Sequence, residues 1–166
     1  MKWCQKCLFF VLVAVCLSGM KLEAKSFAQK MAIDATGAGI AIWNNDMGSY
    51  NTIQAASVDA SGLWGAPVNL SSAGVNCSYP MIAMNSNGNA VAMWSEFDTG
   101  LGLQILKAAI KPSGGAWQAA TMISSNTENV AKFQNNFMDQ AYRVSINSID
   151  IINATWTSTV SGALVI

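Results

Sequence analysis

The chain has 166 residues, of which 11% are charged and 52% hydrophobic, and its formal net charge is zero. A chain of this length forms one domain or two small ones. The absence of histidine excludes His-based catalytic triads and the usual zinc sites. The charges are too few and too balanced to form a basic stripe, so we expect no nucleic-acid binding.

The first 24 residues have the layout of a secretory signal peptide. Lys2 and Lys6 precede an apolar run from Leu8 to Leu17, and a basic start followed by about ten apolar residues is typical of export signals. The run is shorter than the roughly 20 residues of a membrane span. Ala24 offers a small residue at a cleavage position. We therefore expect removal of residues 1–24 and export to the periplasm, the cell envelope or the medium.

The cysteines allow two further expectations. Cys16 ends the apolar run and offers a competing interpretation, lipid attachment, although the branched Val15 before it departs from bacterial lipid-attachment sequences. Membrane association is expected only in that case. Cleavage after residue 24 would leave six basic residues, eight acidic residues and Cys77 as the last cysteine. We expect Cys77 to be a small buried hydrophobe, with a disulfide between chains as the alternative.

An internal repeat organises the rest of the chain. Residues 31–43 match residues 82–94 without a gap at an offset of 51, and residues 53–64 match residues 106–117 at an offset of 53. A third copy at residues 144–156 keeps the terminal Trp156, but Asp150 stands where the first two copies have Gly37 and Gly88. The predicted units are residues 25–78, residues 79–129, and a degenerate, incomplete third unit at residues 130–166.

Each unit is predicted to contain four antiparallel strands. Apolar residues alternate with alanines, which is the two-residue period of a strand, and Asp34-x-x-Gly37 predicts a type I turn with a left-handed glycine. Ile53–Val58 is a predicted third strand, and Trp64–Leu70 is a predicted fourth. Small residues are expected in equivalent slots between stacked sheets, namely Ala32, Ala41, Ala83, Ala92 and Ala154. The predicted fold is all-β, with about two and a half four-stranded β-propeller blades.

One segment supports a family resemblance. Residues 57–64, Ser-Val-Asp-Ala-Ser-Gly-Leu-Trp, resemble the Asp-box of sialidase-type propellers, with Ser61 and Leu63 departing from the pattern. The second unit keeps Gly114 and Trp117, and Pro112 takes the place of the aspartate. The units therefore resemble the bacterial exported propeller repeats related to sialidase repeats. The resemblance implies that the box fastens a turn and has no catalytic role.

The candidate chemistry is sparse. Sialidases of the resembled family grip substrate with three arginines, whereas this chain has only Arg143. Asp46, Glu96 and Asp98 follow the unit tryptophans and could form a glycosidase carboxylate pair, but we interpret them as solvated loop acids. The repeated tryptophans favour packing over sugar stacking. We therefore assign no catalytic, cofactor-binding or metal-binding residue and expect no enzyme activity and no cofactor.

The predicted function is a non-enzymatic exported binding or scaffold module. Two and a half blades leave sheet faces open, so the chain is interpreted as a truncated piece of a longer propeller, as a subunit that self-associates through its open blade faces, or as a module that docks on another partner. Truncation is the favoured explanation. The partner is an unidentified protein or glycan. A lectin-like carbohydrate-binding propeller is the alternative, and a glycoside hydrolase of sialidase-like fold is a distant third.

Overall fold

The computed structural model describes residues 26–130, 142–160 and 163–165, and all regular secondary structure within them is β-strand. The predicted signal peptide, its cleavage position and Cys16 lie outside the described residues. The described part of the chain contains no helix long and apolar enough to cross a membrane. The predicted all-β fold class is confirmed.

Two four-stranded antiparallel sheets form the first two units. Sheet 1 contains, in spatial order, β1 (Ser26–Ile33), β2 (Gly39–Asp46), β3 (Asn51–Val58) and β4 (Val68–Asn69). Sheet 2 contains β5 (Cys77–Met84), β6 (Ala90–Asp98), β7 (Leu103–Lys111) and β8 (Thr121–Met122) in the same order. Because each strand pairs with the strand that follows it in sequence, both sheets are simple meanders. This arrangement confirms four antiparallel strands in each of these units.

The fourth strand is shorter than predicted. The expected strand over Trp64–Leu70 is reduced to Val68–Asn69, with a single additional bridge between Trp64 and Val58. Pro67 lies between these two contacts and has no amide hydrogen to donate, so the ladder is interrupted there.

The third unit consists of β9 (Asn129–Val130), β10 (Tyr142–Ile146), β11 (Ile152–Trp156), β12 (Ser158–Val160) and β13 (Ala163–Val165). The pairing of Val130 with Ser158 in the third unit corresponds to the pairing of Cys77 with Glu96 in sheet 2. By this register β9 and β10 correspond to a first strand, β11 and β12 to a second, and β13 to the start of a third. Residues 131–141, which separate β9 from β10, lie outside the described part.

The predicted turn between the first and second strands is confirmed in both repeats. Gly37 and Gly88 have φ values of +89° and +85°, which glycine adopts without steric cost. Asp150 takes the same position in the third unit with a φ of +66°. Aspartate is among the few residues that tolerate this region, so the third turn survives the loss of its glycine.

The three units stack head to tail through two apolar cores. We call the face of each unit that bears the second-strand tryptophan (Trp43, Trp94 or Trp156) its Trp face, and the opposite face its far face. The far face of sheet 1, with Ile40 and Ile42, packs on the Trp face of sheet 2. The far face of sheet 2, with Met93, packs in turn on the Trp face of the third unit. The same pair of faces meets at both junctions.

The repeated alanines do not occupy one equivalent set of slots, which corrects the prediction. Ala32 is paired with Ile40, and Ala83 with Val91, so both lie on far faces. The second-strand alanines lie on Trp faces: Ala41, Ala92 and Ala154. Residues that pair across an antiparallel ladder share a face, and this register was not deducible from the alternation alone.

Candidate functional site

The most regular polar feature is a turn in which one side chain fastens the backbone. Asp34 Oδ1 accepts from the amides of Thr36 at 2.8 Å and Ala38 at 3.1 Å. Asp59 Oδ1 accepts from the amides of Ser61 and Leu63, both at 2.9 Å. The same bonds, to the amides two and four residues ahead, are made by the first residue of two further turns, Asn85 and Asn147.

The two aspartates of these turns are held in their ionised form. The Thr36 hydroxyl donates to Asp34 and lowers the pKa of that carboxyl below its usual value, and backbone amides reinforce the effect. The Ser61 hydroxyl does the same for the pKa of Asp59. An acid with a lowered pKa is a poor proton donor near neutral pH. The prediction that Asp34 and Asp59 are structural turn residues is confirmed by these bonds.

A hydrogen-bond network joins the first turn of sheet 2 to that of the third unit. Asn85 is buried and its Nδ2 donates to the Asn147 carbonyl at 2.9 Å and to Asp150 Oδ1 at 2.6 Å. Asn89 Nδ2 donates to the same Asp150 oxygen at 2.7 Å, and Asn87 Nδ2 donates to the Ser148 carbonyl at 2.9 Å. Sequence reasoning missed this junction, because it assigned these asparagines only to their own turn.

The candidate glycosidase acids have structural partners. Asp46 and Asp98 are the last residues of β2 and β6 and are half-buried, so the interpretation as solvated loop acids is corrected for both. Asp46 Oδ1 accepts from the Gly48 amide at 2.7 Å, and Asp98 Oδ1 accepts from the Gly100 amide at 2.9 Å. The interpretation of Glu96 as a solvated loop acid is wrong, since it lies on strand β6 with only 5% of its surface exposed. Glu96 is buried because its side chain lies on the face of β6 that packs against sheet 1.

Glu96 belongs to a small buried polar group at the junction of the sheets. Its Oε1 is 3.1 Å from Lys107 Nζ, and its Oε2 is 3.8 Å from Cys77 Sγ. Cys77 is fully buried, as predicted, and burial raises the pKa of its thiol to about 12. A thiol held protonated in this way is neither a nucleophile nor a metal ligand near neutral pH.

Tyr142 is the buried tyrosine of the second core. Its hydroxyl donates to the carbonyls of Tyr79 and Ser78, and burial raises the pKa of the phenol. A tyrosine that attacks substrate needs its phenolate form, which this environment disfavours. The geometry of Tyr142 fits a packing role between sheet 2 and the third unit.

Three of the repeated tryptophans are packed against the cores. Trp94 is fully buried in the first core, Trp117 packs against that core, and Trp156 packs against the second. These positions use the indole rings for packing contacts, as predicted, and burial of Trp94 removes its faces from sugar stacking. Trp43, the counterpart of Trp94, is half-buried on the Trp face of sheet 1.

The two ends of the stack have different surfaces. On the Trp face of sheet 1, Met31 is 39% exposed and Ile33 is 58% exposed. Their counterparts in sheet 2, Ile82 and Met84, pack against the first core because sheet 1 covers them. The far face of the third unit is polar and exposed at four positions, Arg143, Ser145, Asn153 and Thr155. Their counterparts in sheet 2 are apolar, with Val91 and Met93 buried and Met81 and Ala83 half-buried.

A cleft separates sheet 2 from the β10–β11 hairpin. Its volume is about 350 Å³, and apolar side chains supply most of its lining, among them Val91, Ile110, Ile152 and Trp156. Within residues 26–130, 142–160 and 163–165, no three His, Cys, Asp or Glu side chains are grouped so as to hold a metal ion.

Neither a known protein family nor a curated protein matches this chain.

Proposed function

We propose that this protein is a non-enzymatic exported module for binding or scaffolding, built from β-propeller blades that resemble sialidase-type repeats. The observation that carries the proposal is the head-to-tail stacking of the units through one repeated pair of faces. Propeller blades are four-stranded antiparallel meanders of this size that stack face to face, and this likeness supports the proposal.

The absence of an enzymatic role is supported by how the repeated polar residues are used. Asp34, Asp59, Asp46 and Asp98 fasten their own turns, and Glu96 is committed to a buried ion pair. Acid catalysis needs a carboxyl whose pKa is raised toward the working pH. The pKa values of Asp34 and Asp59 are instead lowered.

The partner that best fits the exposed apolar residues on the Trp face of sheet 1 is a second copy of the protein. On the Trp face of sheet 1, Met31 and Ile33 of β1 are exposed, whereas Ala41, Ala56 and Val58 in the middle of the face are buried. The counterparts of Met31 and Ile33 in sheet 2 are covered by sheet 1. Two such faces packed together would remove that apolar surface from water. The far face of the third unit is polar and offers no apolar surface to the Trp face of another copy, so we expect association to stop at a dimer and not to extend into a filament.

Sedimentation over a range of protein concentrations tests this function. The wild-type protein is expected to dimerise, and Ile33→Lys is expected to remain monomeric because the lysine charge would be desolvated in the interface. Ile149→Lys is the matched control, since Ile149 is 73% exposed in a turn remote from the Trp face of sheet 1. A wild-type protein that is monomeric at every concentration would contradict the proposed self-association.

A further inference from the structure

The turn between β5 and β6 contains an asparagine followed directly by a glycine, Asn87-Gly88. No other asparagine of the sequence precedes a glycine. The Asn87 side chain is exposed, and Gly88 leaves the turn with a φ of +85°. Because glycine has no side chain to shield its amide nitrogen, that nitrogen can approach the side-chain carbon of the asparagine before it. This dipeptide is therefore the most reactive asparagine sequence in the chain.

Two hydrogen bonds restrain the groups that would react. Asn87 Nδ2 donates to the Ser148 carbonyl at 2.9 Å, which keeps the side chain turned toward the third unit. The Gly88 amide donates to the Asn85 carbonyl at 3.1 Å, which disfavours loss of its proton. The first of these bonds exists only while the turn of the third unit is docked on the turn of sheet 2.

We propose that Asn87-Gly88 is a site of spontaneous deamidation and that docking of the third unit controls its rate. The Gly88 nitrogen gives up its proton to hydroxide and forms a bond to Cγ of Asn87. The bond from Cγ to Nδ2 then breaks, and ammonia leaves with a proton taken from water. Water opens the resulting cyclic imide at either carbonyl, which leaves aspartate or isoaspartate at position 87. This site does not depend on the proposed binding function.

The product would weaken the junction that restrains the reaction. A carboxylate at position 87 has no hydrogen to donate, so it would turn an acceptor toward the Ser148 carbonyl. It would also add a negative charge beside the turn that carries Asp150. In sheet 1 the counterpart of Asn87 is Thr36, whose hydroxyl bonds to Asp34 of its own turn. The modification therefore affects the junction between sheet 2 and the third unit and has no equivalent in sheet 1.

Peptide mapping by mass spectrometry after incubation at mildly alkaline pH measures the exchange of ammonia for water at each asparagine. We expect Asn87 to react faster than Asn85 and Asn147, which precede serines and serve as internal controls. Asn87→Gln should remove most of the signal, because a longer side chain closes the imide ring far more slowly. Isoaspartate at position 87 identifies attack by the backbone, since direct hydrolysis gives aspartate alone. Deamidation at Asn87 no faster than at Asn85 or Asn147, or without isoaspartate, would overturn the assignment.

Variants at Asp150 test the control by the third unit. Asp150→Gly removes the oxygen that accepts from Asn85 and Asn89 and keeps a residue suited to the φ of +66°, whereas Asp150→Asn keeps an acceptor oxygen there. We expect Asn87 to react at least about fivefold faster in Asp150→Gly, the equivalent of one lost hydrogen bond, and at the wild-type rate in Asp150→Asn. The wild type should also react faster in urea than in its native state. An unchanged rate in folded Asp150→Gly, or in urea, would overturn the control.

Asn87→Asp reproduces one product of the reaction and should lower the urea midpoint of unfolding relative to the wild type. Ser86→Asp is the matched control, because Ser86 is exposed in the same turn and its substitution adds the same charge while Asn87 keeps its bond to Ser148. We expect Ser86→Asp to unfold near the wild-type midpoint. Equal midpoints for Asn87→Asp and the wild type would show that the modification does not loosen the junction.

Discussion

Asn85 donates from Nδ2 to Oδ1 of Asp150 across 2.6 Å, and this bond ties a turn of sheet 2 to the corresponding turn of the third unit. Asn85 also fastens its own turn through Oδ1. One buried side chain therefore sets the local turn and the position of the next unit. In sheet 1 the equivalent residue is Asp34, which has no amide group to donate.

We expect Asn85→Asp to destabilise the protein. The substitution replaces two donated bonds with a carboxylate facing Asp150, and a buried group left without its partner costs about 1–3 kcal/mol. Urea unfolding at neutral pH measures the loss. Asp34→Asn is the matched control: its Oδ1 can still accept the same amide bonds, so its unfolding midpoint should stay near that of the wild type. Unchanged stability of Asn85→Asp would show that the junction is unimportant.

Asp59 should make stability depend on acid pH. The Ser61 hydroxyl lowers the pKa of Asp59 in the folded state below the ordinary value of 3.8. As the pH falls, Asp59 is therefore protonated in the unfolded state before it is protonated in the folded state. The contribution of Asp59 to the free energy of unfolding is present above pH 3.8 and is lost as the pH falls through the folded pKa. Urea midpoints measured across this range should fall less steeply for Asp59→Asn than for the wild type. Parallel curves would show that Asp59 does not contribute to the pH dependence of stability.

Cys77 should be unreactive until the protein unfolds. Its pKa is raised by burial from 9.0 to about 12, and only a thiolate reacts with a disulfide reagent. In a protein whose Cys4, Cys7 and Cys16 are replaced by serine, we expect labelling of Cys77 by Ellman's reagent at mildly alkaline pH to be slow in the native state and fast in urea. An equally fast reaction in both conditions would mean that the first core is open to solvent.

The same shift predicts a loss of stability in alkali. The unfolded thiol ionises above pH 9.0, whereas the folded thiol keeps its proton until about pH 12. The contribution of Cys77 is therefore complete below pH 9.0 and declines as the pH rises toward 12. Cys77→Val should flatten this part of the stability profile.

Local chemistry made the turns and most strands predictable. Asp34 and Gly37 are three residues apart, and the turn depends on those residues alone. The faces of Ala32 and Ala41 could not be predicted in the same way, because they depend on which residues pair across the ladder. The burial of Glu96 likewise depends on sheet 1, which is distant in sequence, and its charge is paired with Lys107 of the neighbouring strand β7.

The third unit was predicted to begin at residue 130, but the equivalence of β9 with the start of β5 was not found, for a different reason. Asn76 Oδ1 accepts from the Asn51 amide, and Asn129 Oδ1 accepts from the Gln104 amide, so these asparagines play the same role at an offset of 53 residues. Extending the sequence comparison from Ser71 and Ser124 by five residues would have found the pair. Residues 131–141 match nothing in the first two units and separate Asn129 from the third copy at residues 144–156.

The repeated sheets stack through their Trp and far faces, and the stability of a variant at Ala92 tests this stacking most directly. Ala92 is fully buried and sheet 1 packs over it, whereas Ala41, at the same position on the Trp face of sheet 1, is 8% exposed and has no other sheet packed over it among the described residues. At protein concentrations below self-association, urea unfolding should show that Ala92→Leu loses about 1–3 kcal/mol through overpacking. Ala41→Leu should stay within about 0.5 kcal/mol of the wild type. Equal losses in the two variants, or a wild-type curve for Ala92→Leu, would contradict the stacking.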